Sequence, residues 1–462
     1  MYDVAIIGGG PAGLAAAYNL ERAGQRVVLL EETGRLGGRA KTVDIAGEPV
    51  NVGAMFVYTG TASHELATEL GVPLVPFEPT TFGIHVDGET VVSGDNHHLV
   101  DQLPLTEESR NGLRSFIERA TSEYYANTAD GQLRPSTPGF GDQSAQSRIN
   151  DLPLDVQEIL TAAIRGGSVA HPAELSATYA LRYFASYLVR EKKNRMVSLG
   201  GMQAIPVALA RSLESTEVRM HHRVDSIHQN GDGMWSLDVF TNDAADGGSG
   251  AEHTAKQQLT ARHVVLAVPA PRIAGMVQLP EWKTEALEAV QTPGSTELGI
   301  VVDISAPELA AIDDWAFIAT AGRVFDVVIN PRPGRKDGTA QFVCYGNSAG
   351  YIEEANDHSS GVLEQWIEDF LTVAPQLRGH ILGAEIQSWE HCFSLLTPTR
   401  AAALPALQAP VNNTLHFAGD YSSETAGTHG AYTEAKRVSR AILSTVPADV
   451  SSPDKSSRIL LP

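Results

Sequence analysis

The feature that most constrains this chain lies in its first twenty residues. Residues 2–7 are a short apolar run rich in β-branched side chains, followed at once by Gly8-Gly9-Gly10-Pro11-Ala12-Gly13 and an Ala/Leu-rich stretch to Leu20. Strand, glycine turn and helix in this order open a doubly wound α/β sheet. Gly8 permits the tight turn, Gly10 lets the backbone approach a pyrophosphate, and Gly13 with the following alanines lets the helix pack closely on the sheet. Pro11 suits a helix's first turn. Gly24 closes the helix, and residues 26–31 read as a second buried strand. Glu31 ends that strand about 20 residues past the glycines, where a ribose hydroxyl needs a carboxylate acceptor, and Glu32 follows it. An acid at this place repels a 2′-phosphate, which disfavours NADP.

The next block separates the remaining dinucleotides. Arg35-Leu36-Gly37-Gly38-Arg39 is followed by Asn51-Val52-Gly53-Ala54-Met55-Phe56. Adjacent glycines between two arginines let main chain and guanidinium groups reach one diphosphate, a demand made by a long, extended dinucleotide. On these residues the sequence resembles the flavin-containing amine oxidase superfamily, which joins monoamine oxidase-like and protoporphyrinogen oxidase-like FAD-dependent oxidoreductases. Further blocks extend the resemblance. They are Ser198-Leu199-Gly200-Gly201-Met202-Gln203, the segment around Val224, the run leading to Ala267-Val268-Pro269, and Gly419-Asp420 followed by Gly427-Thr428-His429-Gly430-Ala431. The resemblance implies non-covalent FAD held by these blocks, with the Val224 backbone at the adenine. A strand ending at Gly419-Asp420 can offer a carboxylate to ribityl hydroxyls, and a helix beginning near Gly430 presents free N–H groups and a positive dipole end.

Composition narrows the partners. Among 462 residues, Lys+Arg total 34 and Asp+Glu 55, a net charge of −21, which repels phosphate backbones and anionic lipid heads. Nucleic acid is excluded as an expected partner. Cys344 and Cys392 are far apart and match no disulfide or zinc spacing, which fits a reducing cytoplasm and no metal site. His97-His98 and His221-His222 are adjacent pairs whose side chains diverge in extended chain. No stretch approaches about 18 uninterrupted apolar residues, so no membrane span is expected. Because residues 3–7 already read as a structural strand, a secretory leader is disfavoured.

The expected fold is α/β, a Rossmann-like FAD-binding domain of the glutathione-reductase/amine-oxidase type with an inserted α+β substrate domain. Residues 1–76, 196–282 and 385–446 are assigned to the FAD domain, residues 77–195 and 283–384 to the substrate domain, and 447–462 to a mobile tail. Within the insertions, 297–304, 323–329 and 340–345 read as strands and 362–373 as an amphipathic helix. Residues 127–150 read as a surface loop and 231–250 as a hairpin loop.

The resemblance implies hydride transfer from a small organic substrate to the flavin, an amine in the leading reading, with O2 as electron acceptor. The alternative is a CH–CH dehydrogenase or desaturase. Many amine oxidases of the family carry a lysine on a substrate-domain strand. The matching strand here begins at Glu297, with Asp303 or an apolar neighbour in the lysine's place. Gly427 stands where one tyrosine of the family's aromatic pair would be, and the Ser-Gly-Gly-Cys-Tyr run that carries the other, with its covalent flavin link, is absent. Candidate substrate contacts are Tyr183, with Tyr179, Tyr187 and Arg182 on the same helical stripe. Trp389, His391 and Arg400 precede the last block, and His429 stands beside its helix and is able to titrate near neutrality.

Overall fold

The computed structural model describes residues 1–127, 143–177, 180, 195–242, 253–346 and 361–445. Tyr179, Arg182, Tyr183, Tyr187, most of the expected 127–150 loop, positions 243–250 and the 447–462 tail lie outside the described residues.

The opening run forms strand β1 (Tyr2–Ile7), helix α1 (Pro11–Arg22) and strand β2 (Val27–Leu30). β1 and β2 pair in parallel, Val4 opposite Val27 through Ile7 opposite Leu30. The sheet continues in parallel to Glu217–Arg219 on one side, and to the C-terminal part of His253–Leu266 and then Leu415–Phe417 on the other. Antiparallel strands Trp235–Asn242 and His222–Gln229 extend it. Both faces of β1 are buried, as a parallel strand between two layers requires. Val4 and Ile6 pack with Leu14, Ala15, Val438 and Ile442 of two helices, whereas Ala5 and Ile7 pack with Val224, Val264 and Phe417.

The expected 231–250 hairpin loop is narrower than its composition suggests. Only a turn around Gly233 precedes Trp235–Asn242, because Trp235, Leu237 and Val239 alternate inward and are claimed by the core. The expected 323–329 strand likewise shortens to Val327–Ile329, since Arg323 pairs with Asp369 and Val324 N donates to the same carboxylate.

A second sheet has the order Ile381–Trp389, Ser295–Asp303, Thr339–Gly346, Val327–Ile329, Trp315–Thr320, Thr81–Val86 and Glu89–Ser93. Its ladders are antiparallel except for the parallel pairing of Trp315–Thr320 with Thr81–Val86. The 384/385 boundary expected from sequence falls inside Ile381–Trp389, whose ladder to Ser295–Asp303 runs from Trp389 opposite Ser295 to Ile381 opposite Val302. One face of the sheet packs on Val362–Val373 through Leu298, Ile300, Val302, Trp366 and Phe370. The other carries Val301, Val327 and Val343 against Ile159, Leu160 and Ala163 of the helix Leu154–Ser168.

The hairpin of β3 (Thr42–Ile45) and β4 (Glu48–Asn51) joins the two sheets. It lies so close to the second sheet that a Cβ on Gly299 would stand 2.8 Å from Val50 Cγ1, and one on Gly383 2.8 Å from Ile45 Cγ2. Arg335 clamps it by donating from Nη1 and Nη2 to the two oxygens of Glu48 at 2.9 and 2.8 Å. The hairpin's exit strand therefore delivers residues 52–56 to the seam between the sheets, where a cavity opens.

Candidate active site

The cavity has a glycine-lined end. Gly8 has φ +105°, and a Cβ there would meet Ala267 O at 2.6 Å, so Ala267-Val268-Pro269 runs directly beside the turn. A Cβ on Gly13 would lie 1.9 Å from Gly8 O, which leaves glycine as the residue that lets α1 seat on the turn. Gly38 faces Gly10, its would-be Cβ 3.2 Å from Gly10 Cα. Gly10 is the N-cap of α1, with no side chain to cap it and Pro11 and Ala12 behind it. The N–H groups of that first turn remain for an anion.

Further residues brace this cradle. Glu31 accepts from Gly9 N at 2.7 Å and from Thr33 N and Oγ1 at 3.0 and 2.7 Å. Glu32 beside it is exposed. Gln203 Nε2 donates to Leu36 O, and its Oε1 accepts from Thr42 N, so the second glycine block props the Gly37-Gly38 loop. Val224 is buried in the core below Glu31's strand, and its neighbour His222 donates its N–H to Glu31 O at 2.8 Å.

The two arginines flanking Gly37-Gly38 do not converge on one point, as their spacing suggested. Arg35 folds back onto its own loop, donating to Gly38 O at 2.6 Å and Leu36 O at 3.3 Å. Arg39 crosses to Asp420, Nη2 to Oδ1 at 2.8 Å, and donates from Nη1 to the carbonyls of His391 and Cys392. Asp420 Oδ2 accepts from Ser394 N at 3.0 Å. Burial works against both charges. The Asp420 carboxylate nevertheless holds the Arg39 guanidinium above its ordinary pKa, and Arg39 holds Asp420 below the usual carboxylate value. Pro11, Arg39, Gly53, Ala54, Met55 and Asp420 all line the cavity.

The final helix begins at Gly427, three residues earlier than its Gly430 suggested, because Gly427 adopts φ +81° and turns the chain into the first turn. Gly427, Thr428, His429 and Ala431 form cavity wall. Gly430 faces away, its would-be Cβ 1.9 Å from Thr425 O, which lets the preceding loop fold over the helix end. The His429 ring meets Tyr58 edge-on at 5.3 Å. The helices starting at Pro11 and Gly427 pack on each other through Leu14, Ala15, Ala431 and Ala435, so both N-termini reach the same cavity.

The opposite end is aromatic. Phe56, Phe317, Tyr345, Trp389 and Phe393 line it, with Gly167 and Val169 at the end of the helix Leu154–Ser168. Trp389 is fixed by donating Nε1–H to Val52 O at 2.9 Å. Arg195 stacks on Phe56 and Phe317, its guanidinium carbon 5.6 and 5.5 Å from their centroids. Phe393 Cε2 lies 3.7 Å from where a Gly427 Cβ would be, so an aromatic ring from another segment packs against the start of the final helix.

Two expectations are corrected here. Arg400 is not a cavity residue: it is 1% exposed and donates to the carbonyls of Tyr421, Asp420, Ser423 and Leu395, fastening the chain behind Asp420. Its place ahead of the last glycine block suggested a cavity residue, but its guanidinium donors are all directed to main-chain carbonyls. Asp303 is not among the cavity residues either. It lies six residues, about 20 Å of extended strand, beyond Glu297 and accepts from Ser305 N at the strand's far end. Glu297 is the ionisable side chain this strand turns into the cavity. His391 contributes its carbonyl to Arg39 and hydrogen-bonds Thr292 Oγ1 through Nδ1.

Sequence reading passed over Glu297, Tyr58, Arg195, Phe317, Tyr345, Cys392 and Phe393 as wall residues. Only Glu297 carried a local signal, an acid at the head of an apolar strand. Among the described residues no group of three or more His, Cys, Asp or Glu could hold a metal ion, and no helix is long and apolar enough to cross a membrane.

Comparison with known proteins agrees with this layout. A family profile described as flavin containing amine oxidoreductase matches residues 11–443. A putative flavin-containing monoamine oxidase of Mycobacterium tuberculosis is 43% identical over 91 residues, covering 20% of this chain and 18% of the relative. The chain thus aligns with about a fifth of that relative's length. A cyclohexylamine oxidase from Brevibacterium oxydans superposes with a TM-score of 0.72 at 19% identity, over 96% of this chain and 99% of the other. A putrescine oxidase solved with putrescine bound gives 0.71 at 19% identity over the same shares. At these identities the two structures speak for the fold.

Proposed function

Because the chain belongs to the flavin-containing amine oxidoreductase family, we propose that it holds FAD non-covalently and oxidises a small amine at the carbon bearing nitrogen, with dioxygen as final electron acceptor. The observation that carries this reading is the cavity itself. An uncapped helix end and a glycine-on-glycine cradle meet an aromatic chamber there, with a paired Arg39–Asp420 between the helices.

The cradle fits FAD. Gly10 and Gly38 leave room that any Cβ would take, and the α1 terminus offers N–H donors to a diphosphate. In this reading Glu31 and Glu32 lie toward the adenosine ribose with the Val224 backbone near the adenine, while Gly53, Ala54, Met55, Asp420 and the turn Gly427-Thr428-His429 lie along the rest of the cofactor. FAD, when bound, supplies a two-electron acceptor for the hydride. The protein's part is to bind, orient and exclude water. Phe56, Phe317, Tyr345 and Trp389 desolvate the substrate's carbon skeleton, and the first turn of Gly427–Thr445 directs its positive end into the cavity. His429 is placed to exchange a proton there. Cys392 on the wall does not suit a covalent link, since burial raises its thiol well above its ordinary pKa and a protonated thiol is a poor nucleophile.

In this reading the first sheet and its helices form the FAD domain, and the second sheet with the helices Leu154–Ser168 and Val362–Val373 forms the substrate domain. Two free cysteines fit a reducing, cytoplasmic setting. The test is product stoichiometry: holoprotein turned over with a panel of primary and secondary amines should release one carbonyl compound and one hydrogen peroxide per O2 consumed. Products two mass units lighter that carry a new carbon–carbon double bond and an amine nitrogen still on a saturated carbon would instead place it with carbon–carbon dehydrogenases.

A further inference from the structure

Glu297 on the cavity wall is 4% exposed, and its Oε2 has no hydrogen-bond partner among the described residues. It stands on Ser295–Asp303, flanked across the ladders by Tyr345 and Gln387, and belongs to the same wall as Arg39, Asp420 and Trp389. The residues after it alternate by face, Leu298, Ile300 and Val302 turning to one core and Val301 to the other. An apolar residue at 297 would suit this strand.

The neighbours do not neutralise it. Arg39 is taken by Asp420 and by the carbonyls of His391 and Cys392. Lys41 is directed to Gln387 Oε1 and lies 4.0 Å from Glu385. Among the described residues, Tyr345 across the ladder and the Cys392 thiol beside it are not cations, the cavity's other arginine, Arg195, lies over the Phe56 and Phe317 rings, and the Glu297 charge itself helps to raise the Cys392 thiol. Burial lifts the Glu297 carboxyl to about 8. A buried carboxyl without a partner disfavours the folded state, so a group kept in that condition at a cavity wall has its partner in what enters the cavity.

Resting on the amine-oxidising reading above, we propose that Glu297 reads the substrate's ammonium group, pairing with it on entry and taking its proton. In that step one N–H bond breaks and one O–H bond forms. The free protein holds this carboxyl protonated below about pH 8, so its own proton leaves to solvent as the ammonium enters beside it; R2CH–NH3+ and the carboxylate then become R2CH–NH2 and the carboxylic acid, and no electron moves. The neutral amine keeps the lone pair that stabilises the positive carbon as hydride leaves. The aromatic wall holds the skeleton while Glu297 fixes the nitrogen end.

The test uses flavin-loaded wild type, E297Q and E297D, with benzylamine, cyclohexylamine and n-butylamine each compared with the alcohol of the same skeleton. Binding is read by calorimetry and by perturbation of the flavin spectrum between pH 7 and 9. Wild type should prefer amine to alcohol. E297Q should bind the amines at least tenfold more weakly, bind the alcohols within twofold of wild type, and keep its flavin content. Amine affinity in E297Q should then track the fraction of free base, rising about tenfold per pH unit below the amine's own pKa. E297D, which retains a carboxylate, should recover part of the preference, and it decides the matter if E297Q fails to fold. A wild type indifferent to amine over alcohol, an E297Q equal to wild type, or a folded E297D without preference overturns the proposal. Flavin reduction by amines that survives in such an E297Q leaves the oxidase reading standing. Conversely, Glu297-dependent amine binding without any flavin reduction supports the ammonium site and defeats the redox reading.

Discussion

In the same cavity, Asp420 is buried beside Arg39 and stays ionised, whereas Glu297 is equally buried and its Oε2 has no hydrogen-bond partner among the described residues. The same chemical group is thus used in two ways. Asp420 is saturated, by Arg39 and Ser394 N, and its charge fixes where the hairpin segment, the loop after Trp389 and the final helix meet. Glu297 Oε2 has no such partner among the described residues. A paired buried charge organises a site, and an unpaired one waits for a ligand.

Four substitutions sharpen or break this contrast. The largest effect belongs to Gly13→Ala, which forces a Cβ to within 1.9 Å of Gly8 O. The loss should reach about 3 kcal/mol or more, with flavin absent from whatever folds, measured by thermal unfolding and the absorbance ratio of flavin to protein. Asp420→Ala comes next. It leaves the Arg39 guanidinium without its counter-charge and should cost about 3 kcal/mol together with most flavin retention. Full flavin content in that variant would show that the pair does not organise the cradle.

Glu297→Gln should act in the opposite direction on stability. The unfolded carboxyl titrates near 4.5 and the folded one near about 8, so between those values the native state holds a proton that the unfolded chain has released. The group's contribution is fully present below the unfolded pKa and is lost as pH rises through the folded one, at up to about 1.4 kcal/mol per pH unit inside the window. Apoprotein carrying E297Q should therefore be more stable than wild type at pH 8 and should lack that part of the decline. Denaturant unfolding from pH 5 to 9 measures the difference, and parallel curves for the two proteins would mean that Glu297 is partnered in solution. The smallest effect is expected for Asp303→Asn, at the far end of the same strand, where flavin reduction rates should stay within twofold of wild type.

The cradle was legible in the sequence because backbone geometry leaves a residue signature. Gly8 must adopt positive φ, Gly13 must lack a Cβ, and Gly10 must face Gly38, so glycines at fixed spacing report the turn directly. The second sheet's central strands and the helix Val362–Val373 were legible through periodicity. Of the aromatic wall only Phe56 and Trp389 were legible, since Arg195, Phe317, Tyr345 and Phe393 come from four further segments that only the tertiary fold gathers. Arg400 shows the converse limit. An arginine near a predicted site resembles a ligand contact in one dimension, while in three its donors are consumed by carbonyls. Glu297 was visible as an acid in an apolar strand, but its meaning depends on Arg39 being already occupied.

The most direct test is the visible spectrum of the oxygen-free holoprotein before and after a mixed panel of primary and secondary amines. The account predicts flavin bands that bleach on adding amine and return on admitting air. Flavin that is present and stays oxidised with every amine would contradict it.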